Sequence, residues 1–173
     1  MKKTLAWLLT LFMVLTISSV TVFAAGTDVA KIGETGYATL TEAIDALVDG
    51  DTLTIFEGTY DAALTITESN VTVIGQGNVV LNGVPTLRGT NYRVENIDFN
   101  YSNGYNNLSG SGLIKDCTFT ATENTFRYCY GATNGAITFE GTTFNPASGK
   151  WAVHFDSASG TGLTFTNCVI NAE

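Results

Sequence analysis

Two hydrophobic rhythms divide this chain. Between Tyr37 and Asp51, the residues Leu40, Ala43, Ile44, Leu47 and Val48 recur at three- and four-residue spacing, the stripe of an amphipathic helix. Thr41 stands where an N-cap is expected, Glu42 falls in the first turn, and Gly50 ends the pattern. From Thr52 onward the period drops to two. TLTIFEGTY (52–60) puts Leu53 and Ile55 on one face; LTIT from Leu64, VTVIGQG from Val71 and NVVLNG from Asn78 follow. Each run is short, β-branched and closed by Gly, Asn or Asp, which predicts separate strands joined by turns.

The strands also repeat. VENIDF from Val94, IKDCTF from Ile114, FEGTTF from Phe139 and FTNCVI from Phe165 share one frame: apolar, any, Asn/Asp/Gly, any, any, Phe/Ile. Their third positions, Asn96, Asp116, Gly141 and Asn167, are spaced by 20, 25 and 26 residues, and Gly75 lies 21 before Asn96 as a degenerate first member. A period of this length without helices predicts a solenoid. Asn, Asp and Gly tolerate the left-handed backbone that a sharp bend between two strands requires. The fold expected is all-β, a right-handed parallel β-helix with one N-terminal amphipathic capping helix. Its core would take Val94, Ile97 and Phe99; Ile114, Cys117 and Phe119; Phe139, Thr142 and Phe144; Phe165, Cys168 and Ile170. Outside, Glu95, Lys115, Glu140 and Thr166 would form a column of alternating charge, and Asp98, Thr118, Thr143 and Val169 a second column.

The N-terminus modifies this picture. A basic start, Met1-Lys2-Lys3, precedes an apolar run of 13 residues from Leu5 to Ile17, and Val22-Phe23-Ala24 fits a small-x-small cleavage site. Residues 1–24 are read as a secretory signal peptide, since the run is shorter than the ~20 residues that span a bilayer. Residues 25–36 are a lead segment, and 37–173 the β-helix. Removing Lys2 and Lys3 leaves six basic residues against 16 acidic, a net charge of −10. Such a surface disfavours nucleic acid and anionic lipid. The expectation is a secreted or cell-surface protein with no nucleic-acid partner and no membrane contact after cleavage.

Candidate chemistry is sparse. Three cysteines are an odd number for a disulfide framework. Cys117 and Cys168 share one inward column with Thr142 between them, two coils and roughly 9–10 Å apart at strand spacing, too far to bridge. They read as core packing, and Cys129 as either core or a free thiol. No His or further Cys stands at ligand spacing, so no metal or cofactor is expected. The one histidine, His154, would face out if Trp151, Val153 and Phe155 face in; Lys150 and Asp156 flank it. No outward column gathers the paired carboxylates of a glycosidase or the acid cluster of a cation-dependent lyase, so no catalytic residue is assigned. Tyr101, Tyr105, Trp151 and His154 are the candidates for glycan contact, through aromatic faces on a rigid rod.

The stretch Tyr37 to Gly77 resembles the N-terminal entry of the pectin-lyase-like right-handed β-helix superfamily. Gly50-Asp51-Thr52, Gly58-Thr59-Tyr60 and Val71 to Gly75 match the segments that open its first two coils, after a capping helix. The resemblance extends through the repeats to the chain end and implies fold rather than activity. The signal peptide and VAKIGETGYATLTEAI resemble exported, adhesin-like proteins of gut Firmicutes. The motifs of enzymatic branches are missing: no Gln-Asp-Thr or Gly-Arg-Pro-Trp of pectin methylesterases, no Asn-Thr-Asp or Gly-His-Gly of polygalacturonases, no Trp-x-Asp-His or Arg-x-Pro-x-x-Arg of pectate lyases. The expected function is a non-catalytic surface scaffold or adhesin-like element that binds a polysaccharide or a host or plant glycan. The alternative is the N-terminal part of a polysaccharide lyase or glycoside hydrolase whose active site lies on further coils. FTNCVINAE ends on a coil strand without a visible cap, so a C-terminally truncated piece, or end-to-end self-association through that coil, is expected.

Overall fold

The period-two segments lie side by side. The computed structural model describes residues 28–104, 108–129, 136–155 and 162–171, without the side chains of 127–129 and 155. The predicted leader falls outside them. A hairpin comes first, β1 (Ala30–Ile32) and β2 (Thr35–Tyr37), followed by helix α1 (Leu40–Asp45). The next two coils are β3 (Thr52–Tyr60) with β4 (Thr65–Ile66), and β5 (Thr72–Leu81) with β6 (Thr86–Leu87). Two coils then begin with a strand pair, β7 (Tyr92–Glu95) and β8 (Asp98–Tyr101), then β9 (Gly112–Lys115) and β10 (Thr118–Ala121). β11 (Phe126–Cys129) follows, then β12 (Ile137–Glu140), β13 (Thr143–Asn145) and β14 (Val153–Phe155). The last strands are β15 (Leu163–Thr166) and β16 (Val169–Ile170).

Pairing between coils is parallel throughout the described residues, so the fold is a parallel β-solenoid. One wall runs β3–β5–β7–β9–β12–β15, and a second runs from the far half of β3 through β5, β8, β10 and β13 to β16. A third side is thinner: β4 on β6, a bridge from Leu87 to Leu108, and β11 on β14. Like residues sit over like. Leu53, Val73, Val94, Ile114, Phe139 and Phe165 make one column; Leu81, Phe99, Phe119, Phe144 and Ile170 make another. All but the last member of each are fully buried. At ~1.5–3 kcal/mol for each large side chain taken out of water, these columns are the main stabilising term.

The bend is where the repeat predicts it. Asn96, Asp116, Gly141 and Asn167 have φ of 56°, 49°, 60° and 53°. The left-handed residue swings the chain from the first wall to the second, so residues on either side of it both point inward. Gly75 is the exception. It stands in register with the bend column, beside Asn96, but the strand continues through it and the positive φ falls at Gly77. VTVIGQG and NVVLNG are therefore one strand, β5, rather than two. Gly75 is needed for another reason: a Cβ there would collide with the carbonyl oxygen of Asn96, whose side-chain Nδ2 donates to the Gly75 carbonyl at 2.8 Å.

The helix is shorter than its apolar pattern. Thr39, not Thr41, is the N-cap; its Oγ1 accepts from the Glu42 amide at 3.3 Å and donates to the Glu42 carboxylate at 2.8 Å. Thr39-x-x-Glu42 thus has the spacing of a capping box, two residues earlier than the apolar pattern suggests, with the Glu42 carboxylate bonded to the Thr39 hydroxyl. The helix stops at Ala46 because Val48 and Asp51 close a turn of their own: the Val48 amide donates to the Asp51 carboxylate at 2.9 Å. Val48, expected on the buried face, is 60% exposed. Leu40, Ala43, Ile44 and Leu47 close the core. The lead segment has structure of its own. β1 and β2 turn tightly at Gly33-Glu34, with Gly33 at φ 57°, and β1 lies antiparallel on β3. It covers the first edge of the parallel wall.

Candidate functional site

Cys117 and Cys168 belong to the bend. The residue after each left-handed position points inward: Ile97, Cys117, Thr142 and Cys168. Cys117 Sγ donates to the Lys115 carbonyl at 3.2 Å and the Val94 carbonyl at 3.7 Å. Thr142 Oγ1 reaches the Glu140 and Ile114 carbonyls, both at 3.2 Å. Cys168 Sγ reaches the Thr166 and Phe139 carbonyls at 3.5 and 3.4 Å. Each contact repeats one geometry: the carbonyl two residues back and the carbonyl one coil before. The column therefore supplies a small side chain with one donor, and thiol and hydroxyl serve alike. Burial pushes the Cys117 thiol up to about 12, the opposite of what a nucleophile or metal ligand needs. Both thiols are free. Among the described residues no cluster of His, Cys, Asp and Glu could hold a metal ion. The Cys129 side chain lies outside the described ones.

The outward charge column is in the expected register, but the partners differ. Lys115 Nζ pairs with Glu140 at 2.9 Å, whereas Glu95 pairs along its own strand with Arg93. The hydrogen bond and charge of Glu140 raise the Lys115 amine above its usual range. On the second wall Asp98 lies between Val80 and Thr118, with no second acid beside it in the column.

Of the aromatic candidates, Tyr101 is turned into the core. It is 9% exposed, and its hydroxyl donates to the Thr125 carbonyl at 2.7 Å. A Tyr buries its ring when its tip can reach a backbone acceptor, so the expected ligand-facing ring is absent here. Tyr105 lies outside the described residues, as does Asp156. Trp151, whose side the alternation leaves open, stands 49% exposed. The reason is backbone pairing. The Trp151 amide donates to the Asn124 side chain at 2.9 Å, and its carbonyl accepts from the Thr125 amide at 3.1 Å. That places Trp151 just before β14 and leaves its ring outside. Partly buried His154 packs against it, ring centroids 4.4 Å apart and tilted by 45°.

These residues form a corner. The loop after β13 turns at Gly149, φ 72°, closed by the Lys150 amide donating to the Ala147 carbonyl at 3.0 Å. It stacks on the loop after β10 through the Ala147 amide and Glu123 carbonyl, 3.0 Å. Buried Asn124 ties this layer to the one before, with its Nδ2 3.4 Å from Asn103 Oδ1. Lys150 Nζ bridges to Glu123 at 2.6 Å. The result is a shallow groove of about 240 Å³ lined by Glu123, Asn124, Gly149, Lys150 and Trp151. It offers an indole face, one cation and one anion half in solvent, and amide groups. Glu123 and Asn124 escaped the sequence reading because their loop has no hydrophobic beat to align. A larger groove, about 410 Å³, includes Asn70, Asn91, Arg93 and Ser111 in its lining. Its aromatic, Tyr92, is buried and presents no ring face, and its arginine is paired with Glu95.

Comparison with protein families, with curated proteins and with solved structures returned no match.

Proposed function

We propose that this chain is an exported, non-catalytic β-solenoid scaffold that carries a saccharide-contact site at Trp151. One observation carries the reading: a half-exposed indole, backed by His154 and rimmed by Lys150, Glu123 and Asn124. Apolar C–H faces of a pyranose suit an indole, and the polar rim suits its hydroxyls. The paired charges of Lys150 and Glu123 cancel locally, which favours a neutral sugar over a polyanion. Among the described residues the outward columns bring no two carboxylates side by side, which supports scaffold over enzyme. The signal-like leader, and the resemblance of Tyr37 to Gly77 to the pectin-lyase-like superfamily, support a location at the cell surface or outside. A shallow site with one ring face supports weak binding, about −4 to −5.5 kcal/mol, or ~1 to ~0.1 mM.

The test is direct because the sequence holds two tryptophans, Trp7 in the leader and Trp151. In residues 25–173 the indole fluorescence reports this corner alone. Titration with neutral oligosaccharides chosen from a glycan array should quench or shift that emission. Calorimetry should show the heat lost in Trp151→Ala and retained in Val48→Ala, which is exposed at the far end. No binder on the array, or equal binding by Trp151→Ala, rejects the site.

A further inference from the structure

The chain holds three Asn-Gly pairs, at 82–83, 103–104 and 134–135. The last lies outside the described residues. The other two sit in opposite surroundings. Asn82-Gly83 makes the bend between β5 and β6. The Asn82 side chain is exposed, and its Nδ2 donates to Asp61 Oδ1, one coil earlier, at 3.0 Å. The Gly83 amide donates to no group among the described residues. Asn103-Gly104 is pinned twice. The buried Gly104 amide donates to the Asn124 carbonyl at 3.0 Å, and half-buried Asn103 accepts at Oδ1 from Asn124 Nδ2 at 3.4 Å.

We propose that Asn82 is a site of spontaneous deamidation, with the Gly83 amide as nucleophile, and that the product weakens its coil. The Gly83 nitrogen passes its proton to solvent, and its electron pair bonds the Asn82 side-chain carbonyl carbon. The bond from that carbon to Nδ2 breaks, and Nδ2 leaves as ammonia with a proton from solvent. A cyclic succinimide remains. Water then adds to either of its carbonyl carbons and opens the ring, giving aspartate or isoaspartate at position 82. Glycine suits the second position because it has no Cβ to block the approach and its backbone turns freely. The attacking nitrogen must also be unbound. At Gly104 a buried hydrogen bond has to break first; at Gly83 there is none to break. The product disturbs the stack in two ways. The amide that donated to Asp61 becomes a carboxylate facing it, like charges in adjacent coils. Isoaspartate also lengthens the main chain beside Gly83, which packs so closely on the Ala62 and Ala63 backbone that a Cβ would collide.

The folded chain should be held in mildly alkaline heavy-oxygen water and digested at intervals. Mass spectrometry should show heavy oxygen entering at position 82 at least about tenfold faster than at 103, the worth of the hydrogen bond that holds Gly104. In urea the two positions should react at similar rates, since both are Asn-Gly. Chains modified at 82, separated by anion exchange through their added negative charge, should unfold at lower urea than intact chains. A position 82 that keeps its amide as long as 103, the same preference for 82 in urea, or modified chains that unfold like intact ones would each overturn the proposal.

Discussion

The first coils and the last coils bury their cores by different means. At the N-terminal end the columns are aliphatic: Leu53, Ile55, Leu64, Ile66, Val71 and Val73 are each fully enclosed. Their lid is a capped helix and a hairpin. Toward the C-terminal end the columns turn aromatic. Phe99 and Phe119 stack at 4.9 Å, Phe119 and Phe144 at 5.8 Å, and Phe126 meets Phe119 edge-on at 4.8 Å. The bends differ in step: β3 and β5 run through the corner as long strands, whereas later coils fold sharply at one left-handed residue. A solenoid rung buries nothing by itself. Its core is completed by whatever layer comes next, so the same column position is closed at Leu53 and open at Phe165.

The comparison can be broken by mutation, and the largest effect is expected in the aromatic half. Phe119→Ala removes a ring that touches Phe99, Phe126 and Phe144, and should cost about 3–5 kcal/mol in urea unfolding. Val73→Ala in the aliphatic half deletes fewer atoms and should cost less. Losses in proportion to the carbon atoms removed would show that the aromatic stack adds nothing beyond volume.

The bends come next. Asp116→Ala forces a Cβ-bearing residue without a local polar partner into φ 49°, a strain of about 1–2 kcal/mol. Asp116→Gly should be close to neutral, since Gly141 holds the same place one coil later at φ 60°. If both variants lose stability equally, the left-handed angle is not what Asp116 supplies.

The thiols give a pH dependence. The Cys117 pKa is raised from 9.0 to about 12 in the folded chain. A raised value means the folded state holds the proton that the unfolded state releases. The stabilising contribution is therefore complete below pH 9.0 and is lost as pH climbs toward about 12. Cys117→Thr, which copies Thr142 and its two carbonyl contacts, should flatten the decline above pH 9.0 and cost less than about 1.5 kcal/mol. Peptide mapping after alkylation at pH 8 should label half-exposed Cys168 well before Cys117.

The smallest effect is expected at the surface. Lys115→Ala breaks a partly exposed pair with Glu140 and should leave the unfolding midpoint almost unchanged, with a still smaller effect in high salt. A larger loss would mean that the outward column, and not only the core, fixes coil register.

Much of this was legible in the residues. The four-fold frame around Asn96, Asp116, Gly141 and Asn167 gave the bend, the inward columns and the outward charges, because a left-handed angle admits few residue types. Cys117 was legible as core, and Cys168 as its counterpart in the same column although it is only partly buried; their role as donors was not, since that depends on carbonyls from the preceding coil. The candidate site was the least legible part. Trp151 and His154 were visible as candidates, but the alternation left open whether the indole faces in or out. Side-chain alternation holds only inside a strand, and Trp151 precedes β14, where its N–H is held by the Asn124 side-chain oxygen.

The sequence by itself determined the period, the bend and which columns are apolar, because each follows from local backbone preference and side-chain chemistry repeated along the chain. The tertiary structure alone decided that the lead segment closes the first edge, that Lys115 chooses Glu140 over Glu95, that Tyr101 turns in and Trp151 out, and that the core is covered at one end and bare at the other. Each of these depends on which residues of a neighbouring layer, twenty or more positions away, come within hydrogen-bond reach or van der Waals contact, and no local pattern encodes that distance.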